Sequence, residues 1–176
     1  MSVEAYVARH GDHGWELREL LRELEWLAPM RVVLELGTFR GDSLRVWREH
    51  LDPELLVGVQ DTDETTPEVA AELGCELVRG FSQQLETYLA VLGRLDGRPV
   101  DLLYVDGDHT YEAVSRDWEL YSPLVRAGGL VVLHDAVIED NPTVDVHRLY
   151  RELRVGRRTK LLYGGRDSTG AALVYV

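Results

Sequence analysis

"VDLLYVDGDHTY", residues 100–111, sets a mostly apolar run, Val100 to Val105, directly against Asp106, Gly107, Asp108 and His109. A short run rich in Val, Leu and Tyr reads as a strand buried on both faces, and the glycine with its polar neighbours stops it. Beyond the turn, Val114, Trp118, Tyr121 and Val125 recur at helical spacing. The unit is therefore strand, polar turn, helix.

Working outward, the same unit repeats. "RVVLELG" (31–37) predicts a first strand and residues 41–50 a helix. "LLVGVQ" (55–60) predicts a second strand, followed by a short helix in "TPEVAAELG" with Thr66 as N-cap and Pro67 at its first position. "CELVRG" (75–80) is the third strand; Ser82 then caps a helix with Leu85, Tyr88, Leu89 and Leu92 on one face. After the quoted fourth strand, "AGGLVVLH" (127–134) is the fifth, with a helix over residues 144–153. An amphipathic helix over residues 15–27 precedes them all, its face formed by Leu17, Leu20, Leu21, Leu24 and Leu27, with Glu16 off that face and Pro29 as its stop. At the other end, "TKLLYG" and "AALVYV" are joined only by "GRDSTG" and predict an antiparallel hairpin at the sheet edge. Strict alternation gives an α/β fold: a doubly wound, mostly parallel sheet with helices on both faces. One domain is expected over residues 1–176: a helical segment (1–29), a core (30–155) and the edge hairpin (156–176).

The 176 residues are 45% hydrophobic and 28% charged, as in an ordinary globular chain. No stretch reaches a membrane span, and the first residues lack the pattern of a signal peptide, so the expectation is cytoplasmic with no membrane partner. A net charge of −12 disfavours nucleic acid and suits small ligands. The single cysteine, Cys75, reads as a small buried residue. A symmetric homodimer is a further expectation.

In a sheet of this kind, ligands bind beyond the carboxyl ends of the strands. Five polar sets fall on that rim: residues 35–41, 60–63, 80–82, 106–109, and His134 with Asp135. In "ELGTFRGDS" (35–43), Gly37 and Gly41 allow a sharp turn before a helix amino end, but their spacing departs from the dinucleotide fingerprint because Phe39 stands at its second glycine. Glu35 adds a carboxylate suited to an ammonium-bearing ligand.

These stretches carry a resemblance. "VLELGTFRGDS" is similar to the first cofactor motif of class I S-adenosylmethionine-dependent methyltransferases. "DLLYVDGDHTYEAVSRDWELYSPLVRAGGLVVLHDA" resembles the cephalosporin hydroxylase-like and macrocin O-methyltransferase-like small-molecule branch, over roughly residues 30–155. The resemblance implies a Rossmann-like seven-stranded sheet, S-adenosylmethionine along the rim and O-methylation of a small-molecule acceptor, a sugar or natural-product hydroxyl. It implies that Gly37, Thr38 and Gly41 line the methionine part, with Glu35, Ser43 and Asp106 also among the cofactor contacts. Gln60 stands where relatives place the acidic ribose ligand, leaving Asp61 or Asp63 to substitute; Phe81 stands where many have an aspartate near adenine, so that Phe81 stacks and Ser82 hydrogen-bonds. These departures favour an alternative: a non-catalytic S-adenosylmethionine- or nucleoside-binding or assembly protein on the same fold.

Methyl transfer to a hydroxyl needs a place for the hydroxyl proton. His109 and His134 are the candidate bases, with Asp135 beside them. The other route is a divalent cation, Mg or Mn, on Asp106, His134 and Asp135, which the resemblance places at the metal positions; an imidazole at His134 favours Mn²⁺, Fe²⁺ or Zn²⁺ over Mg²⁺. His10 and His13 are weaker candidates for a lid, more in keeping with a solvated amino terminus, and His50 and His147 read as surface.

Overall fold

The computed structural model describes residues 3–27, 29–138, 141–164 and 168–176. Two N-terminal helices, α1 (Val3–His10) and α2 (Asp12–Leu24), precede an alternating series: β1 (Val32–Leu36), α3 (Asp42–His50), β2 (Leu55–Gln60), α4 (Pro67–Glu72), β3 (Cys75–Arg79), α5 (Leu85–Leu95), β4 (Val100–Val105), α6 (Tyr111–Tyr121), β5 (Val125–His134), α7 (Val146–Leu153), β6 (Thr159–Leu162) and β7 (Ala171–Tyr175). The seven strands form one sheet in the order β3-β2-β1-β4-β5-β7-β6. β1 to β5 run parallel; β7 is antiparallel to both β5 and β6 and carries the hairpin to the edge. Strand order reverses between β1 and β4, the crevice where such sheets hold ligands.

The two-residue alternation of each strand splits the core in two. Leu34 and Leu36 of β1 join Leu103, Val105, Val91, Val114, Tyr121 and Leu149 on the side of α5, α6 and α7. Val33 joins Leu44, Trp47, Leu17 and Leu20 on the side of α2 and α3. Glu35, one pleat from Val33, therefore points into an apolar layer.

Three expectations needed correction. The amphipathic helix begins at Asp12 rather than Trp15, because Gly14 belongs to it: a Cβ there would sit 2.3 Å from Val7 Cα, so glycine lets α1 and α2 pack backbone to backbone. The amino terminus is helical here, and the side chains of His10 and His13 lie outside the described residues. Helix α5 has Gln84, not Ser82, at its N-cap position, and it buries Thr87, Val91 and Leu95 while Leu85 and Leu89 are exposed. Ser82 is instead buried in the turn, its carbonyl accepting from the Tyr121 hydroxyl at 2.8 Å. Third, His147, expected at the surface, is half-buried, with Nε2 3.8 Å from Asp145 Oδ1. His50 is exposed, Cys75 buried and Trp47 fully buried, as expected. No helix among the described residues is long and apolar enough to cross a membrane.

Candidate functional site

The turn after β1 is built from backbone that side chains resist. Gly37 and Gly41 have φ of 87° and 78°, and Phe39, a non-glycine residue, has φ of 42°. What holds Phe39 there is a ring of hydrogen bonds: its N–H donates to Gln60 Oε1 at 2.8 Å, and the Thr65 hydroxyl donates to its carbonyl. Gln60, expected on the ribose, thus braces the turn from the end of β2, while its amide nitrogen donates to Thr62 Oγ1 at 2.5 Å.

Two cavities open on this turn. The first, about 330 Å³, runs along the rim past Gln60, Asp61, Phe81, Ser82 and Gln83. The second, about 210 Å³, lies toward the N-terminal helices and is lined by Tyr6, Thr38, Arg40, Asp42, Ser43 and His134. Gly37, Phe39 and Asp106 border both. Of the sequence candidates, Gly41, Glu35, His109 and Asp135 line neither.

Glu35 lies beneath the turn, fully buried, where Ser43 Oγ and Trp47 Nε1 (2.5 Å) donate to its carboxyl. Burial pushes its pKa up to about 8 against those two hydrogen bonds, which favours the protonated carboxyl near neutral pH.

The ends of β4 and β5 bring the expected acids and histidines together. His109 Nδ1 lies 2.9 Å from Asp135 Oδ2 and its Nε2 3.2 Å from Asp106 Oδ1. His134 Nδ1 lies 3.1 Å from Asp106 Oδ1 and 3.0 Å from Asp135 Oδ1. Burial works against charge on both imidazoles, but the carboxylates outweigh it: His109 rises to about 9 and His134 rises well above the usual histidine range. Asp106 and Asp135 are correspondingly held below the usual carboxylate range, their burial overcome by the two histidines. Asp135 has φ of 58°, a left-handed residue at the end of a strand, kept there as Ala136 and Val137 N–H donate to Gly170 and Thr169 carbonyls at 2.9 and 3.0 Å. The carboxylates thus favour the charged form of both imidazoles, and the imidazoles that of both carboxylates. Among the described residues no group of three or more His, Cys, Asp and Glu side chains is arranged to hold a metal ion.

Three residues of the site escaped the sequence reading. Glu16 of α2 is buried, with Oε2 3.4 Å from His134 Nε2. Tyr6 of α1 lines the second cavity; burial and the nearby Asp106 and Glu35 push its phenol above the usual range, so it keeps its proton. Arg40 lines the same cavity and lies 5.0 Å over the Phe39 ring. Glu16 stands one turn before Leu20 and two before Leu24, so its helical phase was the signal for its burial, as the glycine turn was for Arg40; Tyr6 lies outside the strand–turn–helix units and had none.

Fold and site together define a doubly wound α/β domain whose ligand crevice lies at the switch between β1 and β4, with an acid–histidine cluster at one end. Residues 34–136 match the family described as "Methyltransferase domain", which is more than half of the chain. The protein belongs to that family. It is 29% identical over 113 residues to uncharacterized protein R132 of Acanthamoeba polyphaga mimivirus, covering 58% of this chain and 50% of that one. Its fold is similar to MycE, a methyltransferase of the mycinamycin biosynthetic pathway solved with Mg, SAH and mycinamycin VI (TM-score 0.68, 20% identity, 92% of this chain and 48% of that chain). It is also similar to TomG of Streptomyces achromogenes, an O-methyltransferase involved in tomaymycin synthesis solved with SAM (TM-score 0.62, 26% identity, 90% and 78%). The chain spans about half the length of both R132 and MycE.

Proposed function

We propose that this protein is an S-adenosylmethionine-dependent O-methyltransferase acting on a small-molecule hydroxyl. The observation that carries the reading is the pair of cavities meeting at Gly37, Phe39 and Asp106, one lined by Phe81 and Ser82 and the other ending on His134. Membership of the methyltransferase family and the SAM- and SAH-bound relatives support the same ligand.

The residues present fit that cofactor. Phe81 offers an exposed ring to stack on a base, Ser82 a polar partner beside it, and Asp61 a carboxylate for ribose hydroxyls. The turn of Gly37, Thr38 and Gly41 brings backbone close to the junction of the cavities, with Arg40 and Ser43 beside the second. When bound, S-adenosylmethionine supplies a methyl group on a sulfonium, transferred by in-line displacement without a covalent enzyme intermediate.

The protein's own task is to position the acceptor and take its proton. His134 reaches a cavity and His109 does not, which favours His134 for acceptor-side proton transfer and His109 for bracing Asp106 and Asp135. Because its carboxylate neighbours keep His134 protonated at neutral pH, it can act as a base only after losing that proton, and turnover should rise toward alkaline pH.

A second reading places a divalent cation on Asp106, His134 and Asp135. Its support is the Mg bound by MycE; in this protein the three side chains are paired with one another at 3.0 and 3.1 Å rather than arranged around an ion. In that reading the cation replaces the imidazolium charge and lowers the pKa of the acceptor hydroxyl. Calorimetric titration with S-adenosylmethionine and S-adenosylhomocysteine tests the proposal first, and labelled methyl transfer to hydroxylated acceptors second; absence of binding heat from both ligands would overturn it.

A further inference from the structure

Glu16 is a carboxylate in the wrong place for an amphipathic helix. It is only 1% exposed and sits inside the layer formed by Leu17, Leu20 and Leu24. Burying a charge is costly unless donors surround it, so the donors found there show what the residue holds together. Two come from the segment before β7: Ser168 Oγ and Gly170 N–H (2.8 Å) both donate to Oε1. The other oxygen, Oε2, lies 3.4 Å from His134 Nε2 at the end of β5, an ion-pair contact.

The oxygens therefore divide their work. Oε1 fastens α2 to the hairpin, which a purely structural staple would need, and Oε2 is turned to the imidazole. A carboxylate oxygen only accepts, so the Nε2 end of the ring must be its donor. The Nδ1 end is left facing Asp106 and Asp135, beside the cavity that His134 lines. Glu16 lines neither cavity itself.

We infer that Glu16 is a positioning residue: it holds the His134 ring with Nε2 toward the interior, so that Nδ1 is set between Asp106 and Asp135 at the edge of the cavity. This rests on the methyl-transfer reading for its catalytic consequence, though not for the ring geometry. It also gives the N-terminal helices a role in the chemistry, since α2 supplies the group that aims a side chain of β5.

The test is Glu16→Gln in the full chain. Its amide oxygen can still accept from Ser168 and Gly170, while its NH₂ now faces Nε2 as a donor and the interior partner of the ring is reversed. Expected are a melting temperature within a few degrees of wild type, S-adenosylhomocysteine affinity and KM within about twofold, kcat lowered at least tenfold, and changed ¹⁵N shifts of the His134 ring. Ser168→Ala is the structural counterpart, lowering the melting temperature while leaving those ring shifts unmoved. Unchanged His134 shifts in folded Glu16→Gln would overturn the inference, as would Ser168→Ala moving them equally. If Glu16→Gln does not fold, Ser168→Ala decides alone: unmoved shifts support the positioning role and moved shifts overturn it. Should wild type bind no S-adenosylhomocysteine and transfer no methyl group, the proposed function fails while the ring shifts still judge Glu16.

Discussion

A Cβ on Gly37 would lie 2.1 Å from the carbonyl oxygen of Asp106. The turn after β1 and the turn after β4 thus touch backbone to backbone, with Gly37 at φ of 87°, and the junction of the two cavities depends on that contact. Gly37→Ala would need both a left-handed alanine, about 1–2 kcal/mol, and a displaced Asp106. The expected result is a melting temperature lower by several degrees and loss of S-adenosylhomocysteine binding, read by thermal denaturation and calorimetry. Gly107→Ala is the control, because the nearest atom to a Cβ there is 3.8 Å away, and it should change neither greatly.

Among the described residues, Arg40 is the one lysine or arginine lining the two cavities, in the company of Asp42, Asp61, Glu64, Asp106 and Asp108. If the second cavity takes the methionine end of the cofactor, Arg40 is the natural partner of its carboxylate. Arg40→Ala should weaken S-adenosylhomocysteine by about 1.5–3 kcal/mol, roughly tenfold or more. It should leave 5′-methylthioadenosine, which has no carboxylate, almost unaffected. Equal losses for the two ligands, measured by calorimetry, would sink this assignment.

Much of the fold was legible because alternation of apolar runs with helical spacing is a local signal. The five parallel strands and the antiparallel tail all follow from runs such as "VDLLYV" and the short connection between Leu162 and Ala171. What misled was phase: α5 turns Thr87, Val91 and Leu95 to the core, so Leu85 and Leu89, expected on its buried face, lie in solvent. The site was legible where it consists of strand ends, so Asp106, His109, His134 and Asp135 were found and do meet. It was illegible where it depends on distant segments: Glu16 and His134 are 118 positions apart, and nothing local to either marks the pair. Glu35 shows the same limit differently, since pleat parity placed it on the strand but not its burial against Trp47.

Glu35 also sets a pH dependence. Its folded pKa of about 8 exceeds the ordinary 4.5, so the folded protein holds a proton that the unfolded chain releases. Stability from this group is complete below about pH 4.5 and declines as pH rises toward 8, with a slope of at most about 1.4 kcal/mol per pH unit. Glu35→Gln keeps an acceptor for Trp47 Nε1 and cannot ionise. The variant should therefore show a flatter melting temperature between pH 5 and 8 than wild type; parallel curves would mean that Glu35 ionises without cost.

The acid–histidine cluster decides between two ways of removing the acceptor proton, and they diverge experimentally. If His134 is the base, the rate is unaffected by EDTA, rises with pH as the imidazolium loses its proton, and falls by two or more orders of magnitude in His134→Ala, within the ~10²–10⁴ range of general-base contributions. If a divalent cation occupies Asp106, His134 and Asp135, EDTA and Asp135→Asn abolish activity alike, and added Mn²⁺ restores the first but not the second. His109 discriminates further: joined to both Asp106 and Asp135 but lining no cavity, it braces the cluster in either case, so His109→Gln should lower activity less than His134→Ala. Only the His134 route makes activity climb toward alkaline pH in the presence of EDTA, so a pH–rate profile taken with the chelator separates the two mechanisms in one experiment.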